Sequence, residues 1–176
     1  MRTLFLSILL CAMHSGSAQY LADNSSGPSV EEVFRTGEQA YRAGDHERAI
    51  VAYDAVLAKD AEHLNAYLQR AFCHAILNDH ISAVSDLNAV IQRKPDHLWA
   101  YTCRSASLAK LGRHQEAIAD LNRVLELDPR NEEAYNNRGW SHKALGDQDA
   151  ACRDWNTSRK MGNAEARIIL TNNRCK

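Results

Sequence analysis

From Val30 onward the chain places apolar residues three and four positions apart, the spacing of one face of an α-helix. Over Leu98 to Leu111 the face carries Tyr101, Arg104, Ser105 and Leu108, which predicts a first helix ended by Gly112. Over His114 to Leu127 a second stripe of Ala117, Leu121, Val124 and Leu125 predicts another helix, stopped at Asp128 and Pro129. Proline lacks the amide that would continue the ladder and disfavours helical backbone at the residue before it. Gly44 and Gly146 stand in the same slot as Gly112, with Asn78 substituting, as expected where a helix terminus turns left-handed.

The pattern repeats. A shift of 34 residues lays Ala66, Tyr67, Arg70, Ala83, Asp86, Leu87 and Pro95 on identical residues of the Leu98 window, and a second shift finds Ala134, Tyr135, Arg138, Ala151 and Asp154. A fixed period of this kind predicts a stacked array of hairpins rather than a fold around one central core. The units run over 30–63, 64–97, 98–131 and 132–165. Residues 166–176 form a C-terminal cap, with an amphipathic helix predicted from Asn163, its N-cap, to Asn172.

The helix-turn-helix unit resembles the tetratricopeptide repeat. The family's signature positions fall on Tyr67, Tyr101 and Tyr135, then on Gly37, Ala71, Ser105 and Gly139 where the two helices touch. They continue at Ala49, Ala83, Ala117 and Ala151, at Tyr53, Leu87, Leu121 and Trp155, and at Pro95 and Pro129. The first unit departs with Val33, Thr36 and Ala61, and the fourth lacks the closing proline, as terminal repeats often do. The resemblance implies an all-α, right-handed superhelical array of four hairpins with a C-terminal capping helix.

The N-terminus changes the compartment. Arg2, an apolar run from Leu4 to Met13 and the small residues Ser15, Gly16, Ser17 and Ala18 read as a secretory signal peptide, 1–18, cleaved near Ala18. A retained anchor and lipidation at Cys11 are the alternatives; the large Leu10 before Cys11 is out of place in a lipoprotein signal. Residues 19–29, polar and carrying Gly and Pro, read as a flexible leader. The expected mature chain is exported, periplasmic or secreted, without an integral membrane segment, in an oxidising setting.

Composition narrows function mainly by exclusion. With a net charge of -1 and Lys and Arg scattered among Asp and Glu, no basic face is available for nucleic acid. No phosphate loop, Gly-x-Ser-x-Gly elbow, HExxH helix or CxxC pair is present, so the chain is expected to be noncatalytic and to use no cofactor. His46, His80 and His114 recur once per unit, as do His74 and His142 in another slot. Equivalent residues of stacked units lie about 10 Å apart, too far to share a metal, and a role at helix starts or in packing is expected. Arg70, Arg104 and Arg138 recur with Asp86, Asp120 and Asp154, which predicts a structural ladder in which Arg104 bridges to Asp86 or Asp120.

Cys152, on the last second helix, and Cys175, after the cap, are expected to form a disulfide that staples the cap in an exported protein. The ACRDW ending with its terminal Cys resembles the closure of small secreted bacterial tetratricopeptide proteins, which supports the pairing. Cys73 and Cys103 occupy different slots of their units and are expected to stay reduced.

Function then belongs to a surface. The resemblance implies that first helices line a concave groove, carrying Phe34 and Glu38 from unit one and Asn65, Leu68, Gln69, Phe72 and Ile76 from unit two. Unit three supplies Trp99, Thr102, Cys103, Ala106 and Lys110, and unit four Asn136, Asn137, Trp140 and Lys143. Aromatic rings beside amides suit a peptide, since rings bury area while Asn and Gln hold a backbone; the aromatics could equally close gaps between helices. Phe34 and Glu38 stand where family members that clamp a C-terminal carboxylate place a Lys and an Asn, so such tails are not expected. The reading is a protein- or peptide-binding module, monomeric or weakly self-associating. The alternative is an envelope or periplasmic assembly scaffold working through its convex face or ends.

Overall fold

The computed structural model describes residues 27–173 and Cys175; the expected signal peptide and most of the leader lie outside them. Helices α1 (Val30–Arg42), α2 (His46–Lys59), α3 (Leu64–Ile76) and α4 (His80–Arg93) form the first two hairpins. Helices α5 (Leu98–Lys110), α6 (His114–Leu127), α7 (Glu132–Ala144) and α8 (Gln148–Lys160) form the next two, and α9 (Ala164–Asn172) closes the row. Each helix packs on its neighbours in sequence, and α1 with α3, like α5 with α7, also touch, so first helices line one face. The chain is an all-α solenoid. Among the described residues no helix is long and apolar enough to cross a membrane.

Helix starts follow local hydrogen bonding. Ser29 opens α1 in a reciprocal capping box with Glu32, whose carboxylate is held below its ordinary pKa first by the Ser29 backbone bond. Asp45, Asp79 and Asp147 cap the second helices of hairpins one, two and four, each accepting from an amide three residues on. Arg113 occupies that slot before α6 and supplies no side-chain cap. First helices are capped differently: His63 and His97 accept the amides of Ala66 and Ala100 through Nδ1, and Asn131 accepts that of Ala134. The turns inside the hairpins reverse through Gly44, Asn78, Gly112 and Gly146, with φ of 80°, 62°, 74° and 83°. Asparagine is the non-glycine residue best able to hold that backbone.

Packing within a hairpin matches a small residue on the first helix to a large one on the second. A Cβ on Gly37 would stand 2.6 Å from the Tyr53 ring, and one on Gly139 would stand 2.5 Å from Nε1 of Trp155. Where the second helix offers the narrower Leu87 or Leu121, the facing residue grows to Ala71 or Ser105. Volume is thus conserved across the seam, as close-packed interiors require. The core is a series of clusters along the row, ending in Ala151, Trp155, Ile169 and Leu170 with Cys175 packed against them. Cys152 and Cys175 form a disulfide with Cα atoms 5.5 Å apart, tying the end of the cap to α8. The capping helix itself begins at Ala164, two residues before the repeat boundary at 166, because Asn163 caps it and accepts the Ala166 amide.

Candidate protein-binding face

The recurring arginines lie within the seams. Arg104 donates from Nε and Nη2 to the two oxygens of Asp120 at 2.8 and 2.6 Å, and from Nη1 to Asn88 Oδ1 at 2.6 Å. Arg138 does the same with Asp154 and Asn122, and Arg70 with Asp86 and Asp54. Each guanidinium therefore pairs with its own hairpin's buried aspartate and reaches back sixteen residues to the preceding hairpin. Of the two expected partners of Arg104, Asp120 is the one used; the earlier hairpin answers with Asn88 rather than Asp86. The hydrogen bond to Asp120 raises the Arg104 pKa against the opposing effect of burial. Tyr67, Tyr101 and Tyr135 stand under the guanidinium groups at 5.6, 5.5 and 5.3 Å. With every strong donor engaged inside the fold, the ladder is structural.

The histidines act locally. His46, His80 and His114 are the first residues of α2, α4 and α6, each with a buried Nδ1 that has no hydrogen-bond partner. Among the described residues no three His, Cys, Asp or Glu side chains gather as metal ligands would.

On the face made by the first helices two tryptophans stand out, Trp99 with 52% of its surface exposed and Trp140 with 41%. Trp99 of α5 meets Phe72 of α3 edge-on, ring centroids 6.2 Å apart, and Ile76, 49% exposed, lies one turn beyond Phe72. Trp140 packs edge-on against the buried Trp155 at 5.1 Å, with Lys143 Nζ over its ring at 5.1 Å. Asn65, Ala106 and Lys110 are exposed, while Gln69, Thr102, Cys103, Asn137 and Glu38 are half-buried. Burial pushes the Cys103 thiol up to about 12 and the Cys73 thiol up to about 11, so both stay protonated near neutrality; both are free.

Residues 34–97 match the family described as tetratricopeptide repeat, and residues 106–146 match that described as TPR repeat, together more than half of the chain. The chain belongs to the tetratricopeptide repeat family. Solved structures of similar shape include one described as the crystal structure of MamA, with a TM-score of 0.75, 18% identity, and coverage of 86% of this chain and 88% of that one. MamA 41-end from Desulfovibrio magneticus RS-1 is similar at TM-score 0.73 and 19% identity, covering 76% and 75%. The first TPR of Spaghetti (RPAP3), bound to the HSP90 peptide SRMEEVD, is similar at TM-score 0.63 and 28% identity, covering 66% of this chain and 93% of that one. No curated protein matches the chain.

Within the tetratricopeptide array, three of the residues assigned to the groove face inward instead. Phe34, 8% exposed, packs on Tyr53 and on His63 at the start of the next hairpin. Leu68, also 8% exposed, joins the cluster of Leu87 and Ala100. Asn136 is 6% exposed, its backbone carbonyl accepting from Trp155 Nε1 at 3.2 Å and its Oδ1 buried without a partner. All three hold the fifth position of their unit, which this array turns toward the following element; Thr102, the fourth of the set, is half-buried and donates to Leu98 O. Lys143 is held at the cap by a hydrogen bond to Asn173 Oδ1. The aromatics with surface on this face are accordingly Trp99 and Trp140, both exposed, and the half-buried Phe72.

Proposed function

We propose that the chain is a noncatalytic, exported binding module that docks a segment of another protein on the face of its first helices. The observation that carries this is the half-exposed Trp99 set edge-on to Phe72: a large apolar side chain with no packing partner over its outer surface. Tetratricopeptide proteins bind protein and peptide partners, and the similar Spaghetti structure holds a peptide, which supports the reading. The Cys152–Cys175 disulfide supports an oxidising compartment, in keeping with the expected signal sequence. The test is affinity capture from the compartment of origin with the native chain and with Trp99→Ala plus Trp140→Ala. A partner retained equally by both would overturn the groove.

A second reading, an assembly scaffold working through its outer helices, is favoured by Val51 on α2 and Ile81 on α4, both large, apolar and well exposed. Such a scaffold would tolerate the tryptophan changes and lose its partner when Arg123 or Glu126 of α6 is altered.

A further inference from the structure

A histidine stands every seventeen residues through the first three hairpins: His46, His63, His80, His97 and His114. Each lies at a helix start. His63 and His97 are the N-caps of α3 and α5, and their Nδ1 atoms accept the amides of Ala66 and Ala100 at 3.1 and 3.2 Å. His46, His80 and His114 are the first residues of α2, α4 and α6, with Nδ1 buried and without a partner. The series stops at hairpin four. Carried on at the same spacing it meets Asn131 and Gln148, at the starts of α7 and α8, and α9 opens on Asn163. Asn131 and Asn163 accept the amides of Ala134 and Ala166 as the two histidines accept theirs, but through an amide oxygen that does not titrate.

All five rings have to be neutral where they stand. An imidazole accepts through Nδ1 only while that nitrogen is bare, and imidazolium has donors alone. At His46, His80 and His114 a proton on Nδ1 would be buried with nothing to receive it. At every one of the five the charge would meet the positive end of a helix dipole. Neighbouring charges are engaged elsewhere: Asp45 and Asp79 hold the amides of Arg48 and Ser82, Glu62 holds Arg93, and Arg113 holds Glu116. Asp96, before His97, is exposed. Tyr41 and Phe34 present rings to His46 and His63. Among the described residues the histidines with a carboxylate in ion-pair range are His74, 3.4 Å from Asp79, and His142, 3.9 Å from Asp154, both in the last turns of first helices.

We propose that the first three hairpins form an acid-sensitive part of the array. Below about pH 6, in the titration range of imidazole, the five consecutive helix starts from α2 to α6 take up protons and loosen, while hairpin four and its cap stay closed. The stability these starts supply is present above that range and is lost as pH falls through it. The device needs no partner in the groove.

Amide exchange read by NMR on the full chain tests this without a variant. It is compared at about pH 7.5 and about pH 5.5, toward either end of the imidazole range, and corrected for the intrinsic pH dependence of exchange. Ala66 and Ala100 should lose protection about fivefold, the usual net effect of one hydrogen bond. The loss is partial because both amides also lie 3.0 Å from the carbonyls of His63 and His97. Ala134 and Ala166 should be unmoved. Ring nitrogen spectra should place the proton of neutral His63 and His97 on Nε2. The midpoint of urea unfolding should fall with pH in the native chain. It should hold in a chain with His63→Asn, His97→Asn, His46→Gln, His80→Gln and His114→Gln, the residues hairpin four uses. Equal losses at Ala134 and Ala66, a proton on Nδ1 of either neutral capping ring, a native midpoint indifferent to pH, or a variant midpoint that falls as far as the native one would each overturn the proposal. If the variant does not fold, the contrast between Ala66 and Ala134 decides alone.

Discussion

Gly139 has no side chain because Trp155 occupies the place where one would be: a Cβ there would lie 2.5 Å from the indole nitrogen. Gly139→Ala should destabilise the array by about 1–3 kcal/mol, the usual cost of forced overpacking, less the several tenths to about 1 kcal/mol that alanine gains over glycine in a helix. Trp155→Leu, which leaves a cavity, should cost about 3 kcal/mol or more. The pair together restores the Ala71–Leu87 arrangement of hairpin two and should cost less than the two changes summed. Urea denaturation of the four proteins measures the coupling, and additivity within about 0.5 kcal/mol would contradict it.

Arg104→Met strands Asp120, which is buried beside it, and is expected to cost about 3–5 kcal/mol. Adding Asp120→Leu should recover much of that loss, because the stranded charge goes with it. Thermal melts in which the single change has no effect would remove the ladder as a stabilising device.

Cutting the staple acts locally. Cys152→Ser with Cys175→Ser opens a loop with a sequence separation of 23 and should lower the stability of the cap by about 3 kcal/mol on loop-entropy grounds. Hydrogen exchange should show α9 losing protection while α3 to α6 keep theirs; uniform loss along the row would mean that the cap controls the whole array.

The free thiols give a pH signature. In a Cys11→Ser chain at pH 8, Cys73 and Cys103 should react slowly with a disulfide reagent and become fast only in denaturant, because their thiolates are disfavoured. Folded values raised above the ordinary 9.0 mean that the folded state holds its protons more tightly than the unfolded one. Stability from these groups is therefore present below pH 9 and declines as pH rises toward about 12. A native chain with two fast thiols at pH 8 would contradict this burial.

The helices were legible because each buries a stripe at helical spacing and repeats it every 34 residues, so an ambiguous residue in one unit is settled by its copies. The facing pairs, Gly37 with Tyr53 and Gly139 with Trp155, show in the sequence as a size exchange between two slots. The face was harder to read. Whether Phe34, Leu68 and Asn136 point outward depends on how closely the next element approaches, which no single unit encodes. The recurring Asn88 and Asn122 were visible, but that arginines of the following hairpins would reach them depends on the stagger between units. His63 and His97 are unusual helix caps, and without the geometry of the inter-unit turn nothing marks them as such. The unpartnered Oδ1 of Asn136 has no signal in sequence at all; one unit earlier the same slot holds Thr102, which satisfies itself on Leu98.

Each guanidinium finds its partners within sixteen residues on either side, so a hairpin can settle once the one before it exists and needs nothing from the far end. Such local wiring favours rapid folding in order along the chain. Cys175, the penultimate residue, is the exception in time. It is synthesised after everything it will close, so oxidation with Cys152 can only follow synthesis of all four hairpins.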